Sequence, residues 1–154
     1  MPIERARTVN ELVEGITEWL RPLWPELTGY AHALPEPVND HTTGRGPLFV
    51  VTSSAGTFGV GEATAVLVIG IQVLSDAKIP MQNYAYACKW LRDKIDALGR
   101  ALYDAPCGLV CGCRPRSPLS WVLPASQPRP EWQAQVTITF DLPSTARENG
   151  DFLI

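Results

Sequence analysis

The segment Glu131-Trp-Gln-Ala-Gln-Val-Thr-Ile-Thr-Phe-Asp-Leu142 alternates between apolar and polar residues without interruption. Side chains on a β-strand point alternately to the two faces of a sheet, so the segment predicts a strand with one apolar and one polar face. A sheet that contains such a strand is covered on one side only, which favours antiparallel pairing. The apolar face is formed by Trp132, Ala134, Val136, Ile138, Phe140 and Leu142.

Two other segments have the helical spacing needed to cover that apolar face. Thr8 and Glu11 form a capping box before a run of apolar residues spaced by three or four, which predicts a helix from about Val9 to Leu20. A stronger pattern predicts a second helix from about Pro80 to Tyr103. We expect both apolar stripes to lie on the same face of the sheet. The second stripe consists of Met81, Tyr84, Cys88, Leu91, Ile95, Leu98 and Leu102.

The remaining strands are shorter or less regular. Pro47 to Ser53 and Glu62 to Leu74 are rich in β-branched residues and predict two strands. The glycine-rich segment between them, Ser54 to Gly61, predicts a long flexible hairpin loop. It is not a phosphate-binding loop, because it lacks the Gly-Lys-Ser/Thr ending and no helix follows it. Leu109 to Cys113 and Ser120 to Leu123 predict either one interrupted strand or two short ones.

These elements predict an α+β fold: an antiparallel or mixed sheet of about four strands with two helices on one face, in the order α-β-β-α-β-β. A chain of 154 residues is most simply one domain. We expect that domain to span residues 1–142 and to include a long irregular loop over residues 21–46, where prolines and glycines interrupt every pattern. Residues 143–154 are expected to form a flexible C-terminal tail.

Composition and charge exclude several classes of protein. The net charge of −3 argues against grasping nucleic acid, which needs a basic surface. Met1 to Arg7 lacks the apolar core of a signal peptide, and the longest apolar run, Ala63 to Leu74, is too short to cross a bilayer. We therefore expect a soluble chain that is made in the cytoplasm and has no membrane partner.

No set of residues predicts catalysis, so we expect neither an enzyme nor a cofactor. His32 and His41 lie in the irregular loop, away from any candidate nucleophile. Cys107, Cys111 and Cys113 would share one face of a strand, but a structural zinc site normally takes four ligands. We expect all four cysteines to be reduced and metal-free; a small thiol or zinc-binding protein that uses these three residues remains the alternative from another class.

Three segments together resemble the tail terminator proteins of long-tailed bacteriophages, especially those of actinobacterial phages. They are Gly46-Pro-Leu-Phe-Val-Val-Thr-Ser-Ser-Ala-Gly56, the strand and helix from Ala65 to Leu98, and Ser117-Pro-Leu-Ser-Trp-Val-Leu-Pro124 followed by Pro128 to Phe140. The resemblance lies in the order of elements and in the turns before the last strand. It covers most of Pro47 to Leu142 and does not extend to the cysteines or the tail.

The resemblance implies a structural virion protein in the phage tail or neck. In that family a homo-hexameric ring caps the tail tube and joins it to the head, so the implied partners are other copies of the chain, the tail-tube protein and the head-closure or neck protein. DNA would pass through the ring without specific binding. A head-closure or neck adaptor is the nearest alternative. We expect the contacts with neighbouring proteins to involve Trp24, Leu27, Tyr30, Leu34, Thr57, Phe58, Val60 and Phe152.

Overall fold

The computed structural model describes residues 5–34, 47–74, 84–123 and 131–143. Within these residues the chain forms two α-helices and one mixed sheet of six strands, in which the strand order is β1-β2-β3-β6-β4 and β5 also pairs with β6. The elements are α1 Val9–Leu20, β1 Thr28–Ala31, β2 Leu48–Gly59, β3 Glu62–Leu74, α2 Tyr84–Tyr103, β4 Arg114–Pro115, β5 Ser120–Val122 and β6 Glu131–Leu142.

The alternating segment is β6, and its apolar residues are all buried, as predicted. Its partner β3 runs antiparallel and places its own apolar residues on the same face, with Leu67 opposite Ile138 and Ile69 opposite Val136. The residues between them, such as Gln135 and Thr137, point to the other face and are exposed or half-buried. The two long central strands therefore supply most of the sheet side of the core.

Both helices pack on that apolar face. In α1 the capping box is formed: the Glu11 amide donates to Thr8 Oγ1 at 3.1 Å, and the Thr8 amide donates to Glu11 Oε1 at 3.2 Å. Leu12 and Ile16 of α1 join Leu91 and Leu98 of α2 in a single cluster with the sheet residues. The predicted two-helix layer on one face is therefore confirmed.

The predicted strand number and order are wrong. The sheet has six strands in the described residues, and the order is α-β-β-β-α-β-β-β. One additional strand, β1, lies inside the segment expected to be an irregular loop, and β4 contains only two residues. Strands this short hold too few alternating positions to give a recognisable period, so non-local pairing decides them.

A close contact between backbone and ring requires glycine in β1. β1 runs parallel to β2, with Gly29 opposite Phe49. A Cβ atom at position 29 would lie only 2.3 Å from the Phe49 ring, so glycine is the residue that lets the outer edge of the ring approach the β1 backbone. Trp24 packs edge-on against the same ring.

The glycine-rich segment is not a loop. β2 continues through it to Gly59, and a two-residue turn at Val60 and Gly61 leads directly into β3. Gly61 has a φ of 73°, the left-handed conformation that such turns need and glycine adopts without strain. The rest of the predicted loop (residues 35–46), the first residues of the predicted second helix (80–83) and the predicted tail (144–154) lie outside the described residues.

Candidate assembly interface

The end of the β2–β3 hairpin, residues 54–61, forms one corner of the sheet and is named the arm below. All six residues of β2 from Ser54 to Gly59 are exposed. The arm carries two large apolar side chains at its tip: Phe58 is 90% exposed and Val60 is 86% exposed. An aromatic ring held in solvent is unfavourable for an isolated subunit, and exposed apolar patches mark contact sites.

Cross-strand contacts fix the shape of the arm. The Thr57 and Thr64 hydroxyls are 2.7 Å apart, and the Thr57 amide donates to Thr64 Oγ1 at 3.1 Å. Gly56 lies so close to β3 that a Cβ atom there would be 2.4 Å from the Thr64 carbonyl oxygen. The arm is therefore an ordered hairpin that presents Phe58 at a defined position.

An apolar groove of about 420 Å³ separates the arm from the beginning of α1. Phe58 lies opposite Ala63 in the hairpin and so points to the face that the helices cover. The groove has the size of a small ligand pocket, but its walls are mostly apolar side chains and backbone. It is lined by Arg7, Thr8, Val9, Phe58, Gly59, Val60, Gly61, Glu62, Ala63, Leu142 and Pro143.

Charged residues lie beside the tip of the arm and pair with one another. Arg116 Nη1 donates to Glu62 Oε1 at 2.9 Å and lies 3.6 Å from Asp141 Oδ1. All three side chains are substantially exposed, so this arrangement contributes at most about 1 kcal/mol to stability. The one guanidinium offsets one of the two carboxylates, so the group keeps a net charge of −1 beside an arm that carries no charge of its own.

A second exposed apolar patch lies on β5, at the opposite edge of the sheet. Trp121 is 47% exposed and Val122 is 58% exposed. Trp121 borders a shallow cavity of about 340 Å³ whose other walls come from Arg92, Asp93, Ile95 and Asp96 of α2. Sequence reasoning assigned this segment to a strand but did not identify it as a contact surface. The sequence feature that could have indicated a contact surface was a tryptophan in a three-residue strand between prolines.

The predicted contact residues fall into four groups. Thr57, Phe58 and Val60 are exposed on the arm, and Tyr30 and Leu34 are half-buried. Trp24 and Leu27 are buried in the subunit's own core, so the structure corrects the prediction that they contact neighbours. The reason is that Trp24 packs edge-on against Phe49, with ring centroids 5.3 Å apart, and donates from Nε1 to the Lys94 carbonyl at 3.2 Å. Phe152 lies outside the described residues.

The cysteines do not share a strand face, so that expectation is wrong. Cys107 lies in a short 3-10 helix with a φ of 58°, and Cys111 lies in a tight turn with a φ of 53°. Val110 and Cys113 exchange two backbone hydrogen bonds of 2.9 Å across this turn. All four cysteines are free thiols, and no three His, Cys, Asp or Glu side chains in the described ranges are grouped as a metal site would require.

Burial raises the pKa of Cys111 from its ordinary 9.0 to about 11. It also raises the pKa of Cys113 to about 11; neighbouring Cys111 and Asp141 add to that rise, and Arg5 opposes it. The neutral thiol is therefore the form that the fold favours. Cys113 Sγ donates to the Ala6 carbonyl at 3.5 Å, which ties the N-terminal segment to the turn. We therefore interpret these two thiols as small side chains that pack within the fold.

We expect the free energy of unfolding to fall as pH rises from 9 to 11. A thiol whose pKa is higher in the folded state stabilises the fold fully below pH 9. Between pH 9 and 11 the thiol ionises in the unfolded state but not in the folded state, so this contribution is progressively lost. Each thiol lowers the free energy of unfolding by up to about 1.4 kcal/mol for each pH unit in this range. Solvent screening reduces this value at the half-buried Cys111. Urea unfolding at pH 8, 9, 10 and 11 measures the slope. The double variant Cys111→Ser/Cys113→Ser should lose this part of the decline; an identical slope would contradict the assignment.

Comparisons with known proteins add no assignment. No protein family model and no curated protein matches the chain. Several solved structures match; one of them has a TM-score of 0.49 and 14% sequence identity, over 86% of this chain and 91% of that chain. In the described residues, no helix is both long and apolar enough to cross a membrane. The candidate interface therefore rests on the geometry of the arm and of the β5 patch.

Proposed function

We propose that this chain is a structural subunit of a bacteriophage tail: a tail terminator whose six copies form a ring that caps the tail tube and joins it to the head. The observation that carries the proposal is the ordered arm, which holds Phe58 and Val60 almost fully in solvent. An exposed apolar tip of this kind is suited to contact with another protein. The resemblance of three segments, residues 46–56, 65–98 and 117–140 without 125–127, to tail terminators supplies the kind of assembly.

The chemistry of the arm favours a protein partner. The segment from Ser54 to Gly61 contains no charged residue, so burying it desolvates no ion. Contact residues of high affinity are typically aromatic side chains that enter a dry pocket, and Phe58 is such a residue. Nucleic acid would instead call for a basic surface, whereas the chain carries a net charge of −3.

We expect Phe58→Asp to leave the subunit folded and to abolish tail termination. A carboxylate at the tip remains favourable in water but becomes costly once the contact removes the water. In a phage that carries the variant, the infectious titre should fall at least 100-fold, and electron microscopy should show tails of irregular or excessive length. Phe58→Leu keeps an apolar tip and serves as the matched control, with a titre within about tenfold of the unmodified phage.

The same experiment separates the proposed function from its nearest alternative. Tails of normal length that fail to join heads would assign the chain to the neck adaptors. Normal tail length together with normal titre in the Phe58→Asp phage would contradict a virion role for the arm. Circular dichroism of the purified variant should match the unmodified chain, because Phe58 makes little contact with the rest of the subunit.

A further inference from the structure

The two exposed apolar patches lie on opposite edges of one sheet. Across the sheet the order is β2, β3, β6 and β5. β1 covers the outer edge of β2 only from Leu48 to Val51. From Thr52 to Gly59 no strand of the described residues pairs with that edge, and the same holds for the outer edge of β5. Unpaired strand edges are templates for pairing with another chain.

The two aromatic residues lie on the same face of the sheet. Phe58 is opposite Ala63, and Ala63 is opposite Leu142, a buried residue of the helix-covered face. Trp121 is opposite Val136, which belongs to that same face. When the sheets of two copies join edge to edge, each face of one sheet is continuous with the corresponding face of the other. Phe58 of one copy and Trp121 of the next would therefore lie on the same side of the seam.

The strand directions also match. Three successive antiparallel pairings connect β2 to β5, so these two strands run in opposite directions within one subunit. Copies related by rotation about an axis close to the strand direction keep that direction. The free edge of β2 then meets β5 of the next copy in the antiparallel sense, in which a short pairing is most stable.

We propose that copies of this chain associate head to tail, with the free edge of β2, Thr52–Gly59, pairing with β5 of the next copy and Phe58 covering that copy's Trp121. This inference rests on the proposed ring and names the contact that would close it. Two different surfaces on opposite edges form a heterologous contact, the type from which rings are built. The uncharged tip meets a cavity bordered by both acidic and basic residues of α2, so no like charges oppose each other.

The position of β1 predicts a stagger between copies. Through the pairing register, Trp121 is level with Val51, the last β2 residue that β1 covers. With Phe58 over Trp121, the β5 strand of the next copy must therefore shift along β2 by the distance from Val51 to Phe58, which is six positions of the paired β3 or roughly 20 Å. Four strands span roughly 19 Å, so the shift corresponds to a strand tilt of about 45° from the ring axis. Closed barrels of strands have tilts of about 35–45°.

The contact is expected to be weak between two isolated copies. An aromatic side chain buries about 150–250 Å², and Phe58 and Trp121 are the main apolar groups in the seam. Stable protein pairs bury about 800 Å² on each partner. The copies should therefore separate in dilute solution and assemble at high concentration or on a partner surface.

Disulfide trapping tests the contact without changing either aromatic residue. Thr57 and Val122 are exposed, adjoin Phe58 and Trp121, and point to the opposite face of the sheet. We would introduce Thr57→Cys and Val122→Cys separately, in a Cys107→Ser/Cys111→Ser background that removes the accessible native thiols. Mixed at millimolar concentration under mild oxidation, the two variants should form a dimer at least tenfold faster than either variant alone.

One control variant and two contrary outcomes make the test decisive. Adding Trp121→Asp to the Val122→Cys chain should reduce the trapping at least tenfold, while circular dichroism checks that the chain remains folded. Faster trapping of Thr57→Cys with itself would show tip-to-tip pairing and overturn the proposal. So would the absence of trapping.

The chain that carries both cysteines separates this inference from the proposed function. If native mass spectrometry shows hexamers that are not linked between positions 57 and 122, the ring stands and this contact is wrong. If the linked product is an open ladder that never closes at six, the contact stands and the hexameric ring is wrong.

Discussion

Replacing Phe140 by alanine is expected to lower the free energy of unfolding by about 3–5 kcal/mol. Phe140 is completely buried in β6, opposite Ala65 of β3 and Pro115 of β4. Its small cross-strand neighbours leave the ring as the main filler of this part of the core. Removing it creates a cavity beneath the helices that neither neighbour can fill.

Urea unfolding at neutral pH measures this effect, and Thr139→Ala is the matched control. Thr139 is adjacent in the same strand but points to the uncovered face, and it is only half-buried. We expect the control to change the free energy of unfolding by less than about 1 kcal/mol. A domain of this size is stable by only about 5–15 kcal/mol, so the Phe140→Ala subunit should lose a large part of its margin. Equal effects of the two substitutions would contradict the assignment of the two faces.

The elements that could be predicted from the sequence are those whose pattern is local and long. The strands β3 and β6 have their predicted boundaries. Each contains twelve or more alternating or β-branched residues, and a pattern of that length is compatible with only one assignment of side chains to the two faces. The helix α1 begins and ends as predicted, since its capping box involves only neighbouring residues. In each case the deciding interactions lie within one segment.

The features that were missed depend on pairing between distant segments. Serine, alanine and glycine hold four of the six positions 54–59 and give them little intrinsic strand preference, which pairing with β3 overrides. β1 pairs with β2, and its Gly29 accommodates a ring twenty positions further along the chain. The cysteines were assigned to a strand because the left-handed backbone at Cys107 and Cys111 gives no signal in the composition.

The candidate interface was predicted in part for the same reason. An aromatic residue between glycines, Phe58, was identified from its local setting, and the structure places it at an exposed tip. Trp121 was not identified as a contact residue, because its exposure depends on β5 being an edge strand. Trp24 was assigned to the surface, because an irregular segment has no period that would separate core from surface residues.

Trp24 therefore gives the second large prediction: Trp24→Ala should lower the free energy of unfolding by about 3–5 kcal/mol. The indole is fully buried, packs edge-on against Phe49 and donates a hydrogen bond to the Lys94 carbonyl of α2. It links the segment after α1 to β2 and to the second helix. Its loss would leave a cavity where three elements meet.

Two further variants divide the effect into its parts. Trp24→Phe keeps an aromatic ring but removes the N–H donor, so about 0.5–1.5 kcal/mol should be lost through the hydrogen bond. A double-mutant cycle of Trp24→Ala with Phe49→Leu should give a coupling of about 0.5–1.5 kcal/mol, the usual value of an edge-on aromatic pair. If Trp24 instead served a neighbouring protein, Trp24→Ala would leave the unfolding curve unchanged and weaken only assembly. The urea curve of the isolated subunit thus decides between a core and a contact residue, because no partner is present in that measurement.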